Sequence, residues 1–194
     1  MVMTLSSAYL PPVSWFSELV RQDSASIEQW EHFHKQTIKN RCTIDSPNGP
    51  LNLTVPVDKS NFTNDGKCLM RDVMISYHND WQHQHWNALK TSYFNSPFFE
   101  YLQDDFRPFY EKRWKFLMDF NEALVDKCCE LIEVTPSVSR TEQWMGDCHT
   151  DAPSENAPLL KPYYQVFAQK HGFLKDLSIV DLIFNMGKES VFYL

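Results

Sequence analysis

Glycine is scarce in this chain, with five in 194 residues and none between residues 4 and 20. That excludes a glycine-rich phosphate loop at the first strand-to-helix junction, where nucleotide-binding α/β domains carry theirs. Basic residues are outnumbered, 18 to 25, for a net charge of −7. Tracking a nucleic-acid backbone or an anionic membrane by bulk charge is thereby disfavoured, while a small anionic ligand held by one or two arginines stays allowed. No stretch approaches the roughly 18 apolar residues of a membrane span, and the opening MVMTLSSAYLPP lacks the basic and apolar regions of a secretion signal. The cysteines are five, an odd number without metal-ligand spacing. Reduced thiols, no disulfide, and a soluble cytoplasmic protein without membrane insertion are expected. Internal repeats and low-complexity tracts are also missing.

What is present reads as a single α/β domain over residues 1–194. It would have a strand-helix-strand opening, a β-hairpin and a mainly helical C-terminal half. Residues 4–9 suggest a strand ended by Pro11-Pro12, and Ser14 can cap a helix carrying Trp15, Phe16, Leu19 and Val20. Ile27 to His34 alternates with period two and suggests a second strand. From Arg41 to Val57, alternating segments flank the turn Ser46-Pro47-Asn48-Gly49, a hairpin whose polar face would carry Arg41, Thr43, Asn52 and Thr54. Pro56 should interrupt its ladder. After a polar loop, Lys59 to Lys67, a strand is expected over Asp72 to Tyr77.

The richest stretch is His78 to Leu102, dense in aromatic, imidazole and amide side chains. Asn79 with Gln82 has the form of a capping box, and Trp81, His85, Ala88, Leu89, Ser92 and Tyr93 would share one helix face. That helix should end at Asn95, and Ser96-Pro97 should start another. Pro108 to Leu131 carries a continuous helical stripe, stopped by Thr135-Pro136. Ser137 to Gln143 is strand-like and Gly146 to Lys161 a loop. Tyr163 to Lys170 should be helical up to Gly172. Ser178 and Asp181 have the spacing of a capping box for Ile179 to Met186, with Gly187 after it.

Several of these residues together resemble the WbqC-like protein family. Tyr9-Leu10-Pro11-Pro12 with Trp15-Phe16, Asn40-Arg41 before a hairpin ending Leu53-Thr54-Val55-Pro56, Trp81, His85, Tyr93, Ser96-Pro97-Phe98-Phe99 and Ser178 to Asn185 carry the likeness. It spans nearly the whole chain. The family name implies a place in bacterial surface-polysaccharide, particularly O-antigen, gene clusters, and a step on an activated sugar. Many members open with Gln-Pro where this chain has Ser7-Ala8.

Two side chains are nominated for chemistry. His85, on an apolar face, is the candidate catalytic proton carrier; its alternative is a buried histidine bonded to the backbone. Arg41 is the candidate anion clamp, with Asn40, Trp81 and Tyr93 as further substrate-binding candidates. An ion pair of Arg41 with Asp45 or Glu31 is the alternative. No cofactor and no metal are expected: His83 and His85 diverge on a helix, and only His32 with His34 could chelate from one strand. Cys148-His149 with Asp151 would make a weak nucleophile-base set. Trp86 or Phe94 is left over for a ligand or a second subunit, which keeps a homodimer open. The leading expectation is a transferase-type enzyme on a nucleotide-activated sugar. The rival is a non-catalytic protein docking on glycan-assembly enzymes, and an enzyme should bring Arg41, His85 and Tyr93 into one concavity.

Overall fold

In the computed structural model, residues 3–146, 148 and 161–194 are described. The opening is a parallel strand-helix-strand unit, β1 (Met3–Ser6), α1 (Val13–Val20) and β2 (Ser24–Glu28), with Met3 opposite Ala25 and Ser6 opposite Glu28. A distant strand, numbered β7 in chain order (Ser137–Arg140), joins β2 in parallel with Ser24 opposite Ser137, giving the order β1-β2-β7. All three strands therefore point their carboxyl ends the same way.

Two boundaries in this unit differ from the sequence reading. Helix α1 follows Pro12, and Ser14 lies inside it, giving its N–H and hydroxyl to the Asp176 carboxylate at 2.8 Å each. The second strand is Ser24–Glu28 instead of 27–34 because the Glu28 carboxylate captures the Trp30 N–H at 2.8 Å. Beyond it the chain leaves the ladder and bonds to residues 68–71 instead.

The hairpin is as read. It consists of β3 (Arg41–Ile44) and β4 (Leu51–Thr54), antiparallel, with Arg41 opposite Thr54 and Thr43 opposite Asn52. Its turn is closed by the Gly49 N–H on Ser46, with Gly49 at φ 101°, a backbone region that glycine enters without steric cost. After Pro56 the chain pairs β5 (Val57–Asp58) with β6 (Met74–Ile75). The strand expected over 72–77 shrinks to those two residues behind a 3-10 turn, Met70–Asp72.

Helix α2 (Trp81–Tyr93) buries Trp81, His85, Leu89, Ser92 and Tyr93, the face its periodicity assigns to the core. Its start is uncapped: Asp80 stands at the N-cap without a side-chain bond, and Gln82 reaches to the Phe109 and Lys112 carbonyls instead of back to Asn79. Ser96 likewise bonds back to the Tyr93 carbonyl, and α3 (Phe99–Glu111) begins three residues later. The long helix expected from Pro108 to Leu131 is broken. Residues 112–116 are pulled to β6 by the Ile75 N–H on Lys115 and by the Tyr77 hydroxyl, which takes the Trp114 N–H at 2.7 Å. Pro108 thus falls inside α3, and α4 (Leu117–Leu131) is separate.

At the chain's end, the helix expected over 163–170 is one turn, α5 (Ala168–His171), stopped by Gly172 at φ 73°. Helix α6 (Ile179–Met186) is buried from Ile179 through Asn185 and packs on α1, α3 and α4. Ser178 caps it, accepting from the Val180 N–H at 3.5 Å, and donates its own proton to the Leu10 carbonyl at 2.8 Å. The capping box is not completed, because the Asp181 carboxylate is engaged by Tyr93, Tyr163 and Gln165.

Ser178→Ala should therefore cost about 1 to 2 kcal/mol, from a lost cap and a buried acceptor left unpaired. Asn79→Ala, at a position that caps nothing, should stay within about 0.5 kcal/mol of wild type. Urea unfolding of both variants measures the contrast.

Candidate functional site

Strands β1 and β2 end at Ser6 and Glu28, and beyond those ends the polar side chains turn inward. Ser6, Glu28, Glu31 and Lys39 are all buried, Glu31 being 3% and Lys39 4% exposed. Lys39 Nζ lies 3.2 Å from Glu31 Oε2, which also accepts the Ser6 hydroxyl at 3.1 Å. Glu31 Oε1 has no partner among the described residues. Burial raises the Glu31 carboxyl above its usual range, and Lys39 and Ser6 pull it partway back. Glu28 is by contrast fully used, accepting from the Trp30 N–H, the Thr141 hydroxyl at 2.9 Å and the Met145 N–H at 2.8 Å, which ties the ends of β2 and β7 together.

Asn121 of α4 closes this polar centre from the other side. Its Nδ2 donates to Ser7 Oγ at 3.0 Å and to the Lys39 carbonyl at 2.8 Å. A carbonyl can only accept, so the amide cannot be flipped, and the unpartnered Oδ1 is fixed in place. Ser7 and Asn121 also line a narrow cleft of about 20 Å³ between α4 and the sheet, whose walls are Trp15, Ile27, Val125 and Val138. Cys148 belongs to the same neighbourhood. Burial, then the negative charges of Glu31 and Glu28, push its thiol up to about 12, so at neutral pH it is not a thiolate nucleophile. His149 and Asp151, its conjectured partners, lie outside the described residues.

The residues nominated from the sequence lie elsewhere. Asn40 is buried and structural in its contacts, donating to the Val55 carbonyl at 2.9 Å and accepting from the Gln36 N–H at 3.2 Å. Arg41 is half-buried, with Nε on Thr54 Oγ1 at 2.9 Å. Among the described residues it forms no ion pair, since Glu31 holds Lys39 and Asp45 accepts the Ser46 N–H. Trp81 sits edge-on to His85, centroids 5.1 Å apart. His85 Nδ1 is 2.9 Å from the Tyr9 hydroxyl, itself 3.0 Å from the Tyr110 hydroxyl. Burial lowers the His85 imidazole to about 4, with the Thr54 backbone opposing, so the ring is neutral at pH 7. If that backbone carbonyl takes the Nε2 proton, Nδ1 accepts from Tyr9. Tyr93 donates to Asp181 Oδ1 at 2.9 Å, in a different network.

None of Asn40, Arg41, Trp81, His85 and Tyr93 lines the α4 cleft or the two wider clefts, one between α2 and α3 and one beside β5 and β6. His32 and His34 are exposed and off any strand, and no group of three or more His, Cys, Asp or Glu among the described residues could hold a metal ion. No helix among them is long and apolar enough to cross a membrane. Sequence reasoning passed over Ser6, Glu28, Lys39 and Asn121, and considered Glu31 only as an ion-pair partner for Arg41, whereas it pairs with Lys39. The available signal was modest: one glutamate closing a strand, a second three residues on, and a lysine directly before Asn40-Arg41.

A parallel α/β arrangement with buried polar groups outside the carboxyl ends of its strands is the class of protein this geometry defines. The chain belongs to the WbqC-like protein family, whose model matches residues 6–157. It is also similar to the uncharacterized protein Rv1507c of Mycobacterium tuberculosis (strain ATCC 25618 / H37Rv), 25% identical over 228 residues that cover 100% of this chain and 96% of the relative. No solved structure matches.

The Asp181 network makes stability depend on pH. Burial first, then the nearby Asp45, raises its carboxyl to about 6, against hydrogen bonds from Tyr163, Tyr93 and Gln165 that lower it. A folded-state pKa above the unfolded one means the native protein holds the proton more tightly. This contribution to stability is therefore fully present below about pH 4, the unfolded carboxyl's range, and is lost as pH rises through 6. Asp181→Asn should flatten that part of the profile, as measured by denaturant unfolding between pH 4 and 7.5.

Proposed function

We propose that this chain is a transferase-type enzyme acting on an activated sugar precursor of bacterial surface polysaccharide, and that its reacting groups stand at the carboxyl ends of the parallel strands. The observation that carries the reading is the burial of the Lys39–Glu31 pair, 4% and 3% exposed, with one Glu31 oxygen unpartnered among the described residues. A buried ion pair costs several kcal/mol of desolvation per ion and is a poor way to stabilise a fold. Its retention beside Glu28 and Asn121 is better explained by a ligand. In open α/β sheets the crevice outside the strands' carboxyl ends is where ligands bind.

In this reading a sugar hydroxyl donates to Glu31 Oε1, and Glu31 accepts its proton as the hydroxyl oxygen bonds to the activated carbon while that carbon's bond to the precursor's phosphate oxygen breaks, the nucleotide phosphate leaving with the electron pair. Lys39 holds the carboxylate in place and tunes its basicity. Arg41 stays in the proposal as the clamp for the precursor's phosphate, through the guanidinium nitrogens beyond Nε. His85 is read as a scaffold residue, since a neutral imidazole enclosed by Tyr9, Trp81 and Thr54 has no exchangeable position for substrate. The WbqC-like family name supports the substrate class, and the cytoplasm is where such precursors are made.

Titration calorimetry with nucleotide sugars tests the proposal. Lys39→Met alone leaves Glu31 buried and uncompensated and should destabilise by about 3 to 5 kcal/mol. The double change Lys39→Met with Glu31→Gln removes both charges and should fold nearly as wild type while losing binding at least ten-fold. Arg41→Lys should weaken binding by about 1 to 3 kcal/mol with little loss of stability, because one point charge replaces a two-point fork. A double variant that binds every nucleotide sugar as wild type does would remove the proposed centre.

A second reading, a protein that docks on glycan-assembly enzymes, is favoured by the large exposed aromatics Phe94, Tyr101 and Phe192. Retention of partner binding by the double variant, without nucleotide-sugar binding by wild type, would support it.

A further inference from the structure

The groove between α2 and α3 is a concavity of about 510 Å³ walled by helices, and the sheet-end centre does not use it. Its floor is aromatic. Trp86 is half-buried there, stacked on Tyr110 at 5.9 Å and 28° and tilted against Phe99 at 6.2 Å. These partners fix the indole plane, which makes it a rigid platform. The charged side chains around it cancel, Lys90 and Arg107 against Asp80 and Glu111, with Arg107 bonded to Glu111 at 2.6 Å and Asp80 set 3.6 Å from His83.

That composition discriminates among ligands. A phosphate or carboxylate gains nothing from a groove of zero net charge, and neither does a cation. An apolar peptide face would have to desolvate four charges and the Gln103 amide without pairing them. A neutral ring with an apolar face and a polar edge meets neither objection. The slightly positive C–H bonds of a pyranose lie well on the negative face of an indole. Its vicinal hydroxyls, each a donor and an acceptor, match the donors of Lys90, Arg107 and Gln103 and the acceptors of Asp80 and Glu111.

We propose that the α2–α3 groove is a saccharide-binding site in which a neutral pyranose ring stacks on Trp86 between Lys90 and Arg107. It is separate from the sheet-end centre and would hold an acceptor sugar or a glycan end. The site stands whether or not the chain is a transferase.

Saturation-transfer NMR on the full chain tests it, with cellobiose, lactose, chitobiose and maltose as probes at millimolar concentration and inorganic phosphate and UMP as competitors. At least one disaccharide should receive saturation at its ring C–H protons. Trp86→Ala should weaken that binding at least ten-fold, Trp86→Tyr should retain it within about three-fold as a smaller platform, and phosphate and UMP should not displace it. Should Trp86→Ala lower the unfolding midpoint, the surface pair Lys90→Ala with Gln103→Ala supplies the same test and should weaken binding at least five-fold. No saturation of any of the four probes, binding that survives these changes, or displacement by UMP would overturn the assignment. The Lys39→Met, Glu31→Gln protein should bind the disaccharide unchanged, so failure of the sheet-end centre and failure of the groove are read separately.

Discussion

One buried carboxylate sets the terms for much of this structure. Helix α6 is covered from Ile179 to Asn185, so the polar atoms it carries must be satisfied from neighbouring elements and not by water. Asp181 achieves this with three donors, the hydroxyls of Tyr93 and Tyr163 and the amide of Gln165. They come from two places in the sequence, α2 and the segment before α5, and each is itself buried. The bonds therefore fix α2 and the segment before α5 against α6. The residual cost is visible in the acid itself, held near 6 with another buried carboxyl, Asp45, close by. Asp45 Oδ2 has no partner among the described residues, and the Ser46 N–H on the other oxygen, then His171, ease its charge.

The same helix positions the opening of the chain. The N–H groups of Val13, Ile179 and Ser178 bond to Leu177, Pro11 and Thr43, Ser178 Oγ bonds to Leu10, and Asp176 holds the first turn of α1. The linker between β1 and α1 is thus pinned by residues some 165 positions later, with Leu10 held at φ 41°, a conformation a leucine adopts only under such constraint. Because Ser6 ends β1 and Ser7 opens that linker, the polar centre at the strand ends inherits its geometry from α6. A change in α6 could disturb the centre without touching it.

The parts legible in the sequence were those in which one local signal acts alone. The hairpin had alternation and a turn with glycine where φ is positive, and both survive in the register Arg41 to Thr54. The inward face of α2 followed from four- and three-residue steps and is correct from Trp81 to Tyr93. Boundaries failed where a side-chain hydrogen bond overrode the backbone pattern. Tyr77 breaks the stripe between Pro108 and Leu131, the Glu28 carboxylate ends β2 early, and Tyr93, Tyr163 and Gln165 take the Asp181 oxygens that a capping box would need. The strand-end centre was illegible for the same reason. Ser6, Glu31, Lys39 and Asn121 are up to 115 residues apart in the sequence, and none belongs to a spaced motif.

The residues that looked most like machinery are connected, though by a path that argues for support. Trp86 rests on Tyr110, whose hydroxyl meets Tyr9, whose hydroxyl meets His85; the imidazole faces the Thr54 backbone, and the Thr54 hydroxyl holds Arg41. Burial raises the two tyrosines and lowers the histidine, so every member of this chain between Trp86 and Arg41 is uncharged at neutral pH. A neutral, fully enclosed sequence of hydrogen bonds neither carries charge to a substrate nor costs much to bury. What it does supply is a rigid tie between the floor of the α2–α3 groove and the foot of the hairpin, passing through Tyr9 at the exit of β1. Aromatic and imidazole density in His78 to Leu102 therefore reflects the demands of a polar seam inside an apolar core, with the half-buried Trp86 and Arg41 at its two ends.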